Sequence, residues 1–117
     1  MGVLIVDDTA FMRMTIKNIL EKNKIEVSGE AVSGKDALVK YKQLEPDVVT
    51  MDITMPELDG IRAIREIIKI DSDAKIIVCS AMGQEPKVME AITAGAKSFV
   101  VKPINETRLV DEIKRFY

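Results

Sequence analysis

The stretch Val3-Leu4-Ile5-Val6-Asp7-Asp8 decides how this sequence is interpreted, because four apolar residues are followed at once by two acidic ones. A short run without polar alternation is typical of a strand that is covered on both faces. Four more strand-length runs follow it, and they are Glu26–Ala31, Val48–Met51, Ile76–Cys79 and Phe99–Val101. Only the run Glu26–Ala31 alternates between polar and apolar residues, which predicts an edge strand, and the other four are predicted to be covered on both faces.

After each run the apolar residues recur with the 3.6-residue period of an amphipathic helix. The periodic positions are Met12, Ile16, Ile19, Leu20, Ala37, Leu38, Tyr41, Leu44, Ile61, Ile64, Ile67, Ile68, Val88, Met89, Ile92, Leu109, Ile113 and Phe116. Thr9 or Asp8 is suited to cap the first helix, Ser33 the second and Asn105 the fifth. Five strand–helix units predict an α/β fold of (βα)₅ type, a doubly wound five-stranded parallel sheet in a three-layer sandwich.

The composition predicts one domain over residues 1–117, with an ordinary hydrophobic content of 47 %. The net charge of -2 gives no electrostatic case for binding nucleic acid. No apolar run has the length of a signal-peptide core or of a membrane span. The single cysteine, Cys79, cannot form an internal disulfide and fits a reducing compartment, so we expect a cytoplasmic protein. We also expect it to be a monomer.

Five polar side chains stand at the carboxyl ends of the predicted strands, where open α/β sheets bind ligands. They are Asp7, Asp8, Asp52, Ser80 and Lys102. If the first and third strands are neighbours, the three carboxylates repel one another, at roughly 3 kcal/mol a pair for about 5 Å and an effective dielectric of about 20. A metal ion, the lysine or protonation must relieve this repulsion, and hard oxygen ligands with open water positions suit Mg²⁺.

Each of these residues also has an ordinary explanation when it is taken alone. An aspartate pair after a strand often caps a helix, a serine is common in turns, and a lone lysine is usually a solvated charge. Cys79 is predicted to be a small buried apolar residue and not a nucleophile, because the chain has no histidine to activate it. Only the joint pattern on one edge of the sheet indicates a site.

Four sequence blocks together resemble those of the response-regulator receiver domains of two-component systems. The blocks are Leu4-Ile5-Val6-Asp7-Asp8, Met51-Asp52-Ile53-Thr54-Met55-Pro56 with Gly60, Ser80-Ala81, and Lys102-Pro103. The resemblance covers the whole chain, and Ala10-Phe11-Met12-Arg13 and Ser80-Ala81-Met82-Gly83 are most similar to single-domain chemotaxis members of the family. It implies a flavodoxin-like sheet with the strand order 2-1-3-4-5.

The resemblance also implies which residues bind metal and phosphate. Asp52 would accept a phosphoryl group. Asp8, Asp52 and the backbone carbonyl of Thr54 would bind Mg²⁺, with Asp7 acting through bound water. The donor would be a partner histidine kinase, since the chain contains no histidine of its own.

The same resemblance implies a conformational response to phosphorylation. Lys102 and Ser80 would contact phosphoryl oxygens, and the Lys102–Pro103 peptide would be cis. Phe99 occupies the aromatic switch position, where chemotaxis members more often carry tyrosine, and it lacks the hydroxyl that would form a hydrogen bond there.

The implied readout surface is the fourth helix, fifth strand and fifth helix. Its candidate apolar docking residues are Val88, Ile92, Val101 and Ile104. The alternative for Val88 and Ile92 is a place in the core. The implied target is a protein, namely the flagellar motor switch if the domain serves chemotaxis.

The implied protein is a signalling phosphoacceptor that assists only its own phosphorylation and dephosphorylation, and three alternatives stand beside it. The first is a receiver cut from a longer regulator, or a phosphorelay intermediate. The second is an aspartyl-phosphate phosphatase or phosphotransferase, but such enzymes need an Asp-x-Asp motif and a cap, and Thr54 stands two residues after Asp52. The third is an adaptor without the chemistry, which is expected to have lost at least one of the five polar residues.

Overall fold

The computed structural model describes residues 2–55 and 59–117, in which five strands alternate with five helices. In chain order the elements are β1 (Val3–Val6), α1 (Ala10–Lys22), β2 (Val27–Ala31), α2 (Gly34–Leu44), β3 (Val48–Asp52), α3 (Asp59–Ile70), β4 (Ile76–Ser80), α4 (Glu85–Ala94), β5 (Ser98–Val101) and α5 (Glu106–Phe116). Pro56, which belongs to the second sequence block, lies outside the described residues.

The five strands form one parallel sheet in the order β2-β1-β3-β4-β5, which confirms the predicted fold and strand order. The strand β2 lies at one edge, as its alternating sequence predicts. Within the sheet Val6 pairs with Met51, so the residues that follow β1 and β3 emerge at the same end.

Two apolar clusters cover the two faces of the sheet and make the three layers. One cluster packs α2, α3 and α4 against the sheet, and the other packs α1 and α5. Cys79 belongs to the second cluster, which confirms that it is a buried apolar residue. Burial raises the pKa of its thiol to about 12, so the sulfur stays protonated and unreactive.

The strand β5 lies at the other edge, and the prediction that it is covered on both faces is wrong. Phe99 and Val101 are 38 % and 41 % exposed and alternate with the buried Ser98 and Val100. These two exposed side chains share a cavity with residues of α4, which covers this side of the edge only in part.

The predicted capping residues begin three of the helices. Thr9 accepts a hydrogen bond from Met12 N, Ser33 caps α2, and Asn105 accepts from Arg108 N at 2.9 Å. Among the described residues, no helix combines the length and apolarity that crossing a membrane requires.

Candidate functional site

Three carboxylates meet in a crevice where β1 and β3 end. One oxygen each from Asp7, Asp8 and Asp52 lies within 4.8 Å of the other two. Asp7 and Asp52 are buried, whereas Asp8 is exposed. The parallel pairing of β1 with β3 causes this meeting, as the positions of the residues along the two strands predict.

The carboxylate of Asp52 is held by one of its two oxygens. Its Oδ1 accepts hydrogen bonds from the Thr54 backbone N at 2.8 Å and from the Thr54 hydroxyl at 2.6 Å, and it lies 3.4 Å from Lys102 Nζ. Its Oδ2 has no hydrogen-bond partner within residues 2–55 and 59–117. One oxygen is therefore anchored and the other is available for chemistry.

Asp7 is anchored in the same way at the end of the neighbouring strand. Its Oδ1 accepts from the backbone N and the hydroxyl of Thr9, both at 2.9 Å, and its Oδ2 lies 3.4 Å from Lys102 Nζ. Lys102 thus bridges two buried carboxylates that belong to different strands, and it partly offsets their repulsion.

The charge of Lys102 is secured by these neighbours. Burial by itself lowers the pKa of the ammonium, but the negative charges of Asp52 and Asp7 outweigh burial and raise that pKa above its ordinary value. At neutral pH the crevice therefore holds a fixed cation beside the anchored oxygen of Asp52, as an anion-binding group requires.

Ser80 ends β4 next to this crevice and is buried. Its carbonyl accepts a hydrogen bond from Lys102 N at 2.7 Å, so the two residues are joined through the backbone. The Lys102–Pro103 peptide is cis, as predicted. The structure thus brings all five predicted polar residues to one edge of the sheet.

A cavity of about 150 Å³ lies between the end of β4, α4 and β5. Its lining includes Ser80 and Ala81 at the end of β4, Met89 of α4, and Phe99 and Val101 of β5, and Ser80 pairs directly with Val101 in the sheet. The cavity is mainly apolar, and both the predicted phosphate contact Ser80 and the predicted switch residue Phe99 line it.

The predicted docking strip needs a correction. Val88 is 7 % exposed and belongs to the core, and Ile92 packs half-buried against the same cluster. Ile104 is half-buried against the opposite cluster, so of the four residues only Val101 is well exposed. The helical period puts Val88 and Ile92 on the inner face of α4, and the exposed apolar residue of that helix is Met89.

Sequence reasoning missed the hydroxyls that orient the two buried carboxylates. Thr9 was identified only as a helix cap and Thr54 only for its carbonyl. The signal was present, since each buried aspartate is followed two residues later by a threonine, a spacing at which a hydroxyl returns to the carboxylate.

Gly60 in the first turn of α3 explains how closely this helix approaches the site. A Cβ atom at this position would lie 2.5 Å from the carbonyl oxygen of Asp52 and 3.1 Å from the Cα of Ile53. The absence of a side chain at Gly60 lets α3 pack directly on the backbone of Asp52.

The family model of the response regulator receiver domain matches residues 3–114. The chain belongs to the response regulator receiver domain family. This receiver domain is 62 % identical to the chemotaxis protein CheY of Thermotoga maritima, over 97 % of this chain and 94 % of that protein. It is 58 % identical to the chemotaxis protein CheY of Bacillus subtilis, with the same two coverages.

A solved structure agrees with these relatives. The CheX-CheY-BeF3-Mg²⁺ complex from Borrelia burgdorferi contains a chain that matches with a TM-score of 0.89 and 36 % identity, over 97 % of this receiver domain and 86 % of that chain. The receiver domain is therefore a signalling protein of two-component systems, of the CheY type, and its acidic cluster is compatible with Mg²⁺ binding.

Proposed function

We propose that this receiver domain is switched when Asp52 accepts a phosphoryl group. The observation that carries the proposal is the state of the Asp52 carboxylate. Its Oδ1 is held by Thr54 and Lys102, whereas its Oδ2 is unpartnered among the described residues. The free oxygen has the freedom that in-line attack on phosphorus needs.

The phosphoryl donor is a phosphohistidine of a partner histidine kinase. The bond between Asp52 Oδ2 and phosphorus forms while the phosphorus–nitrogen bond breaks, and the imidazole nitrogen leaves with the electron pair. A carboxylate is already an anion at neutral pH, so the attack needs no general base. Lys102 lies beside Asp52 Oδ1, where its charge stabilises the phosphoryl oxygens.

The crevice fits Mg²⁺. Three carboxylate oxygens within 4.8 Å are hard donors of the kind this ion prefers. Asp8, Asp52 and the backbone carbonyl of Thr54 would hold the ion, with Asp7 acting through bound water. When bound, Mg²⁺ neutralises negative charge on the transferred group.

The response of the domain runs from Ser80 to Phe99. The Ser80 hydroxyl binds a phosphoryl oxygen and draws the loop 81–83 toward the crevice. Phe99 then changes rotamer into the cavity that both residues line. A few kcal/mol of differential contact is sufficient to shift such a two-state element.

The output partner is a protein that reads the face of α4, β5 and α5. The exposed apolar residues of this face are Met89, Phe99 and Val101. The relatives named chemotaxis proteins favour the flagellar motor switch as that target. The domain acts as a cytoplasmic monomer and assists only its own phosphorylation and dephosphorylation.

The test is phosphorylation by a small phosphodonor, acetyl phosphate, in the presence of Mg²⁺. Intact mass should show one added phosphoryl group on the wild type and none on Asp52→Asn, because an amide is not a nucleophile. Asn has the shape of Asp and lessens the repulsion, so circular dichroism should show an intact fold. Labelling of Asp52→Asn at the wild-type level would place the phosphate on another residue.

A further inference from the structure

Arg13 has a different environment from the other basic residues of α1. Its side chain is only 15 % exposed, whereas that of Lys17, one turn further along the helix, is 42 % exposed. The guanidinium reaches two acceptors at once. Its Nη1 donates to the carbonyl oxygen of Asp7 at 2.8 Å, and its Nε donates to Oε1 of Glu30 at 3.1 Å.

The acceptor on Asp7 belongs to the peptide that joins Asp7 to Asp8. Arg13 therefore holds the peptide plane between two of the three crevice carboxylates. Glu30 lies on the edge strand β2, which pairs with β1 on the side away from β3. Through Arg13, the Asp7–Asp8 peptide is therefore connected to β2. An arginine is suited to this bridge because its planar fork serves two acceptors in fixed directions.

Asp8 depends on this peptide more than Asp7 does. The Asp7 carboxylate is already oriented by the backbone N and hydroxyl of Thr9 and by Lys102. Asp8 is exposed, and the hydrogen bonds within the described residues do not fix its carboxylate. The orientation of the peptide that precedes Asp8 therefore decides where that carboxylate points.

We propose that Arg13 is a positioning residue for Mg²⁺, which presets the Asp7–Asp8 peptide so that Asp8 faces the crevice before the ion arrives. This inference rests on the proposed function, because it requires the crevice to bind Mg²⁺. It assigns a role to a residue that contacts neither the ion nor the phosphoryl group.

The charge of Arg13 and its position have opposite effects on Mg²⁺ affinity. A cation close to a metal site repels the ion, so removal of the charge alone tightens binding. Removal of the bridge loosens the Asp7–Asp8 peptide and weakens binding. The direction of the change therefore separates the two roles.

The experiment titrates MgCl₂ into the folded protein and measures Kd from amide NMR shifts, with calorimetry as a second readout. Arg13→Gln should raise Kd about tenfold, in the range for groups that orient metal ligands. Arg13→Lys keeps the charge but lacks the planar fork that serves two separated acceptors in fixed directions, so it should raise Kd about threefold. Lys17→Gln is the matched control, because it removes a charge that pairs with the same Glu30, at 3.8 Å, and should not weaken Mg²⁺ binding.

Two further results separate this inference from the proposed function. Asp8→Asn should abolish binding, and a wild type that binds no Mg²⁺ would overturn both. Suppose that Asp8→Asn abolishes Mg²⁺ binding but Arg13→Lys has the Kd of the wild type, or that Arg13→Gln binds Mg²⁺ more tightly than the wild type. In either case the positioning role of Arg13 is wrong and the proposed function is unaffected. If Arg13→Gln does not fold, Arg13→Lys decides the question, because its charge is unchanged.

Discussion

The side-chain hydroxyl of Thr50 is expected to lower the stability of this receiver domain, because it is buried without a hydrogen-bond partner among the described residues. Thr50 lies in the middle of β3, is fully buried, and its Oγ1 has no hydrogen-bond partner among the described residues. A hydroxyl buried without a partner loses its bonds to water and gains nothing in return. The hydroxyls of Thr9 and Thr54, by contrast, orient carboxylates.

We expect Thr50→Val to raise the free energy of unfolding by about 1 kcal/mol, because valine has nearly the same shape and no polar atom to desolvate. Urea unfolding measures the change. Thr15→Val is the control, since the Thr15 hydroxyl donates to Phe11 O at 2.9 Å, and this variant should not be stabilised. A Thr50→Val variant less stable than the wild type would mean that the hydroxyl is bonded.

Residue types at strand ends could be predicted from the sequence, whereas contacts between side chains that are distant in the sequence could not. Asp52 and Lys102 follow apolar runs, so the strand pattern alone puts them at the carboxyl edge. The bridge from Arg13 to Asp7 and Glu30 joins two strands and a helix, and no local pattern encodes it. The burial of Val88 likewise depends on how α4 is rotated against the sheet.

At the scale of the elements, α3 packs directly on the backbone of the strand that carries Asp52, and Gly60 is the reason. An exposed helical glycine is usually improved by alanine, by up to about 1 kcal/mol. Here the added Cβ would meet the backbone of Asp52 and Ile53. The usual preference of a helix for alanine is therefore reversed.

We expect Gly60→Ala to lower the free energy of unfolding by about 1 to 3 kcal/mol, because α3 must move away from β3. Urea unfolding measures the loss, and amide NMR should show shifts at residues 52–54. Gly83→Ala is the control. Its φ of 84° makes alanine strained, at a cost of about 1 kcal/mol, but its Cβ would meet no heavy atom within 4 Å, so the amides of 52–54 should not move. Equal shifts in both variants would contradict this account.

At the scale of the whole molecule, the stability of the domain in acid depends on a buried carboxylate far from the crevice. Glu112 of α5 is 5 % exposed, accepts a short hydrogen bond from the Ser98 hydroxyl, and pairs with Arg115 at 2.9 Å and Arg108 at 3.5 Å. The Ser98 hydrogen bond, and after it the charges of Arg115 and Arg108, outweigh burial and lower the pKa of Glu112 below 4.5. The cluster joins α5 to β5.

A carboxyl group whose pKa is lower in the folded state stabilises that state above its unfolded pKa, and the benefit disappears as pH falls through the folded value. We therefore expect Glu112→Gln to lower the free energy of unfolding by about 1 to 2 kcal/mol at neutral pH. The difference from the wild type should shrink as the pH falls from neutral through the lowered pKa of Glu112, since the wild-type group then becomes neutral too. Urea unfolding across this range measures it, with the exposed Asp111→Asn as the control. A difference that stays constant with pH would contradict the ionic role.

Under the proposed function, the anchored carboxylate of Asp52 has a consequence for what a partner protein would detect. A phosphorylated serine changes from neutral to nearly two negative charges, whereas an ionised carboxylate already carries one. In the proposed reaction, conversion of Asp52 to an acyl phosphate would therefore change the formal charge by only about one unit. What the crevice gains in full is a tetrahedral group with three acceptor oxygens. A partner that responded to electrostatic potential alone would therefore sense about half the change in charge that phosphorylation of a serine produces. We expect recognition to depend mainly on the shape of the new group and of the surface that it rearranges.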